Sequence, residues 1–168
     1  SDAFALVWAN GKCFGLNGSG RAPKTLDASG FESMKEVPHT GWDPVTVPGA
    51  VSAWMELSKR FGKLPFAKLF EPAIDYATNG YPVAPLTAGL WGRALNRYKD
   101  FPEWGKTFLR DGQAPKAGEK FLMPNHARSL REIAQSGGES FYRGELARKI
   151  AECAKQQGGA MTFNDLAA

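Results

Sequence analysis

Cysteine and histidine are scarce in this 168-residue chain, with two of each. His39 and His126 stand far apart, with no Cys or acidic partner at metal-ligand spacing, so a zinc site is not indicated. Surface or capping roles are the plainer reading for both. Cys13 and Cys153 are free to pair or to stay reduced, and two cysteines do not fix the redox compartment. The net charge of +4 and the isoelectric point near 9.1 are only mildly basic. There is no run of like charges and no basic stripe, which argues against a nucleic-acid partner. No apolar stretch is long enough to span a bilayer, and no signal-peptide pattern opens the chain. A P-loop, a dinucleotide fingerprint and a Ser-His-Asp arrangement are missing too, as are internal repeats and low-complexity segments. The remaining composition, 43% hydrophobic, suits one globular domain with a real core.

What is there centres on Leu16-Asn17-Gly18-Ser19-Gly20-Arg21-Ala22-Pro23. Ahead of it, Phe4, Leu6 and Trp8 alternate with small residues, and Cys13 to Leu16 lies across an Asn10-Gly11 turn. Asn-Gly between two such runs predicts a β-hairpin. In the loop that follows, glycines leave backbone N–H groups open to an anion, and Arg21 supplies a charge that meets a carboxylate bidentately. Ser19, Gly20 and Arg21 are therefore candidate ligand contacts. On the residues alone, a plain Gly-rich connector outweighs the ligand site.

The rest reads as helices. Lys24 to Ser33 is expected as a short helix closed by Gly30, and Met34 to Pro48 as an irregular connection. Pro48 is expected at a first helical position, followed by Ala50, Trp54, Leu57 and Phe61 on one face. Gly62 ends that helix. Pro65 opens the next, which Pro72 kinks or splits and Gly80 stops. Pro82 and Pro85 open a third stretch toward Tyr98, carrying Leu86, Leu90, Trp91 and Leu95. Phe101 to Pro124 is expected as a long loop with a small ribbon around Phe108 to Phe121. Leu130, Ile133 and Ala134 mark a helix ended by Gly137-Gly138, and Phe141-Tyr142 a short turn. Leu146, Ile150, Cys153 and Ala154 mark another helix ended by Gly158-Gly159. Thr162 to Asp165 has the spacing of a capping box.

Few residues offer chemistry. Cys153 falls on an apolar helix face, where cysteine acts as a small hydrophobe. Cys13 lacks an identifiable base. Glu139 and Glu145 allow an acid/base pair, but solvated helix carboxylates are far commoner. The aromatics fall at helical spacing and read as core, not as a stacking platform. Ser1 would act as an N-terminal nucleophile only if the natural chain began there. No catalytic machinery is visible.

Several segments resemble the γ-glutamyltransferase family: Asp2-Ala3-Phe4, the Asn17–Pro23 loop, and Val45-Thr46-Val47-Pro48-Gly49-Ala50-Val51 with Trp54. Phe61 to Pro65, Glu71 to Ile74 with Gly80 to Val83, Gly138 through Gly144, and Gly158 to Thr162 with Asp165-Leu166 fit as well, in order and over nearly the whole chain. The resemblance implies a precursor that cuts itself into a large and a small subunit. The new N-terminal Thr of the small subunit would be the nucleophile, with its own amine as base. Its γ-glutamyl acyl-enzyme would be resolved by water or an amino acid.

On this basis the chain is expected to be a mainly α piece with a short N-terminal β-hairpin, part of an αββα N-terminal-nucleophile sandwich. Residues 1–23 would belong to the sheet layer and residues 24–168 to the helical part of one larger domain. It would be a large-subunit fragment, inactive and poorly soluble alone, with no catalytic residue, metal or cofactor of its own. Its partners would be the small subunit and a γ-glutamyl or other acyl-amide substrate such as glutathione; periplasmic, secreted and cytoplasmic locations all stay open. In the family's transpeptidases an arginine of this loop holds the substrate carboxylate, and its place ahead of Ala22-Pro23 is taken here by Ser19. Arg21 or the loop amides near Ser19 would then substitute, or the acyl group differs, as in the related cephalosporin (glutaryl) acylases. A non-catalytic helical interaction module is the alternative from another class.

Overall fold

The computed structural model describes residues 2–168; Ser1, and with it the N-terminal-serine reading, lies outside the described residues. The chain is mainly helical and begins with an antiparallel hairpin, β1 (Phe4–Ala9) and β2 (Lys12–Asn17), paired from Phe4↔Asn17 to Ala9↔Lys12. Asn10 and Gly11 both have positive φ, 51° and 73°, the geometry of the tight turn that follows strand twist. One hairpin face packs Phe14 on Phe61, ring centroids 5.4 Å apart. The other presents Phe4, Leu6 and Trp8, which are 68%, 82% and 74% exposed.

The helices are α1 (Ala50–Phe61), α2 (Glu71–Asn79), α3 (Pro85–Tyr98), α4 (Pro102–Phe108), α5 (Pro124–Gln135), α6 (Glu139–Arg143), α7 (Glu145–Gln156) and α8 (Phe163–Ala167). Two compact units result. One runs to Leu69 and resumes from Glu132 to Ala168; the other is Phe70–Arg131. The core of the first gathers Ala147, Ala154, Met161 and Leu166, with Trp42, Val45, Val47 and Ile150 packed against it. The second centres on Phe121, fully buried, with the Trp91 ring 4.7 Å away, and holds a two-residue ribbon of β3 (Tyr81–Pro82) and β4 (Lys120–Phe121).

Several expectations need correcting. Lys24 to Ser33 contains only a 3-10 turn, Ala28–Phe31, which includes Gly30 and is capped by Asp27. Pro48 stands outside α1, whose N-cap is Gly49. The buried side of α1 is Ala50, Val51 and Ala53, of which Ala53 meets the Gly18 backbone, while Trp54 is 43% exposed. The Phe101–Pro124 loop contains α4, begun by Pro102 and too short to show periodicity. Lys120–Phe121 pairs with Tyr81–Pro82 instead of closing a ribbon on Phe108. Phe141 and Tyr142 lie in a helix, α6. Pro72, by contrast, splits its stretch as expected, with a 3-10 turn at Phe66–Phe70 before α2. The capping box at Thr162 is complete.

Candidate functional site

The Gly-rich loop is held by its own backbone. Gly18 N–H donates to the Ala3 carbonyl at 2.8 Å, extending the hairpin ladder. Ser19 N–H donates to Asn17 Oδ1 at 2.9 Å, a local Asx turn, and Gly20 N–H to Asp2 Oδ1 at 3.2 Å. These three amides are engaged within the protein, so they form no open anion nest. What the loop presents is the Ser19 hydroxyl and the Arg21 side chain.

The loop lies directly on the segment before α1. Val47 N–H donates to the Arg21 carbonyl at 2.9 Å. A Cβ at Gly20 would overlap the Val47 carbonyl oxygen, and one at Gly49 would overlap the Gly18 carbonyl oxygen. Glycine is required at both positions because the opposing atoms are backbone and cannot rotate aside. Beyond Arg21, Pro23 is buried, and Lys24 N–H donates to Asp165 Oδ1 at 3.0 Å. Asp165 Oδ2 also takes the Thr162 N–H and hydroxyl, at 2.9 and 2.6 Å. Burial pushes the Asp165 carboxyl upward most strongly, but the bonds from Thr162 and Lys24 together hold it below its ordinary value.

A third element completes the site. Tyr142 of α6 is buried, and its hydroxyl donates to the Pro48 carbonyl at 2.7 Å and accepts the Ser52 N–H at 2.9 Å. The Ser52 hydroxyl donates to the Gly49 carbonyl at 2.8 Å. The result is a cavity of about 390 Å³ walled by residues 17–21, residues 47–49 with Ser52, Tyr142 with Arg143, and Leu166 with Ala168. Ser19, Gly20 and Arg21 all line it.

The other candidates stay apart. Glu139 and Glu145 make exposed ion pairs with Arg143 and Lys149 on successive helices. His39 sits 3.8 Å from Glu36, and His126 packs edge-on against Phe108. Both cysteines are free, Cys13 exposed and Cys153 half-buried. Among the described residues no cluster of His, Cys, Asp and Glu is placed to hold a metal ion, and no helix is long and apolar enough to cross a membrane. Sequence reasoning missed Ser52, Tyr142 and Arg143. The signal for Tyr142 and Arg143 was the Gly138–Gly144 segment and that for Ser52 the segment from Val45 to Trp54, whose side chains suggest no chemistry until the fold brings them to the loop.

Comparison with known proteins adds context. The family profile described as Gamma-glutamyltranspeptidase matches residues 1–168. A cephalosporin acylase from Bacillus halodurans superposes with a TM-score of 0.94 at 48% identity, over 99% of this chain and 33% of that one. The Helicobacter pylori gamma-glutamyltranspeptidase superposes with a TM-score of 0.89 at 29% identity, over 99% of this chain and 50% of that one. The glutathione hydrolase-like YwrD proenzyme of Bacillus subtilis is 36% identical over 90% of this chain and 29% of its own length. The chain spans about a fifth to a third of the length of the curated relatives it matches.

Proposed function

The chain belongs to the gamma-glutamyltranspeptidase family, and on that premise we propose that it supplies the acyl-binding loop of a γ-glutamyl hydrolase or transferase acting on amides such as glutathione. The observation that carries this reading is Arg21. Arg21 lines the cavity, and its side chain has no hydrogen-bond or ion-pair partner among the described residues. A cation left open in a concave site fits a carboxylate bidentately. Ser19 would add a hydroxyl, and Gly20 would keep the loop seated against the Val47 backbone so that both side chains face the substrate.

The nucleophile in this reading is the N-terminal Thr of a small subunit cut from the same precursor. Its hydroxyl attacks the amide carbonyl, its α-amine accepts the proton, and water or an amino acid resolves the acyl-enzyme. This chain contributes substrate positioning, which converts a bimolecular encounter into an oriented one. By itself it is inactive. The exposed Phe4, Leu6 and Trp8 face supports placing the hairpin in the sheet layer of an αββα sandwich, since such an apolar face calls for a cover.

A second reading, a cephalosporin or glutaryl acylase of the same fold, is favoured by the match to the Bacillus halodurans acylase, which is 48% identical. The family resemblance adds that Ser19 takes the place of the transpeptidases' loop arginine. Arg21→Ala in the complete enzyme, assayed on paired γ-glutamyl and glutaryl p-nitroanilides, tests both. KM for the preferred substrate should rise about tenfold, the lower range for losing a charged hydrogen bond. The substrate that the wild type prefers decides between the readings. An unchanged KM for both substrates would remove Arg21 from binding.

A further inference from the structure

Two arginines, Arg21 and Arg143, line the cavity together with Ala168, and no Asp or Glu residue does. Arg143 Nη1 donates to Glu139 Oε2 at 2.9 Å, with both side chains about half exposed. An exposed pair of this kind adds little to stability, and it leaves most of the guanidinium donors open. The place of Arg143 in the wall is nevertheless firmly set. Tyr142, its neighbour in the chain, is buried and bonded to both the Pro48 carbonyl and the Ser52 N–H. Gly144 must be glycine, because a Cβ there would press on the Ser140 backbone of the same turn. A short helix with one side chain anchored at the start of α1 therefore presents the next side chain to the cavity.

In the reading above, an acyl group with one carboxylate would occupy Arg21 and leave the second arginine for the rest of the substrate. Each guanidinium matches one carboxylate. We propose that Arg143 is a specificity-determining residue that receives a carboxylate on the amine side of the scissile amide. The enzyme would then prefer acyl amides charged on both halves. This inference rests on the amidohydrolase reading above, with Arg21 on the acyl side.

The test uses the complete, processed enzyme and two chromogenic substrates, γ-glutamyl-p-nitroanilide and γ-glutamyl-3-carboxy-4-nitroanilide, which differ by one carboxylate on the leaving group. Glutaryl counterparts replace them if the enzyme prefers that acyl group. Arg143→Gln should raise KM for the carboxylated anilide about tenfold more than KM for the plain anilide. Arg143→Lys should restore part of the preference, and added salt should weaken it in the wild type. A wild-type circular dichroism spectrum and Tm show that the variant is folded. An equal rise in KM for both anilides would mean a carboxylate shared with Arg21 and would overturn the assignment. So would no change for either. If the wild type turns over none of these anilides, the amidohydrolase reading itself fails, an outcome distinct from loss of the Arg143 preference.

Discussion

Backbone meets backbone around the Arg21 loop, whereas rings meet rings in the Phe70–Arg131 unit. At the loop, Gly18, Gly20 and Gly49 allow carbonyls and α-carbons to touch with no side chain between them. In the other unit, Trp91 lies 4.7 Å from Phe121 and 6.0 Å from Phe108, and Tyr98 lies 5.2 Å from Trp104. No residue of α3 is buried, and Leu86 and Leu90 are 73% and 51% exposed. Aromatic contacts tolerate small shifts, because many weak contacts share the load. A carbonyl seated on an α-carbon does not. The first region fixes where a charge begins, and the second fills volume.

The sharpest way to break that contrast is Gly49→Ala. The added methyl would overlap the Gly18 carbonyl oxygen, and relief requires moving either the loop or the start of α1. The expected cost is about 1–3 kcal/mol of stability from overpacking. Activity should suffer more, because a displacement of about 1 Å in a positioning element costs on the order of 100-fold. Thermal melting and kcat/KM of the complete enzyme give both values. Wild-type values for the variant would show that the junction is not rigid.

The same contrast explains what the sequence disclosed. The hairpin was legible because Asn10-Gly11 is a local signal, and the capping box because Thr162 and Asp165 are three positions apart. The loop was legible as a candidate from its glycines, but the engagement of its amides was not. Asp2 and Ala3 reach the loop only through the hairpin fold, and nothing local to Gly20 predicts Asp2 as its acceptor. The Tyr142 bond to Pro48 joins residues 94 positions apart, beyond any periodicity. Helix α4 was lost for another reason: its seven residues are too few to repeat an apolar face.

A smaller effect is expected at the far end of the loop, where Asp165 holds Lys24. The folded carboxyl lies below its ordinary value of 3.8, so the unfolded chain takes up a proton first as pH falls. The stabilisation is therefore complete well above pH 3.8 and is lost as pH drops through the lower folded value. Asp165→Asn should cost about 1–3 kcal/mol near neutral pH, since three donors lose a charged acceptor. The gap between wild type and variant, followed by chemical denaturation from pH 7 down to pH 3, should narrow only in the acid range. A gap independent of pH would show that the carboxylate charge contributes nothing and that only shape matters.

The smallest expected effect has the opposite sign. Gly92 lies inside α3, and a Cβ built there meets nothing within 4 Å. Gly92→Ala therefore removes backbone freedom from the unfolded chain without meeting a neighbour. It should stabilise by about 0.5–1 kcal/mol, seen as a raised Tm with kcat/KM unchanged. A residue that is intolerant at position 49 and improvable at position 92 is the contrast in its simplest form, since both substitutions add the same methyl group. If Gly92→Ala lowers Tm in the complete enzyme, then backbone from outside this chain must approach α3 at that turn. The Phe70–Arg131 unit would then carry a close junction of its own, built on the same principle as the loop.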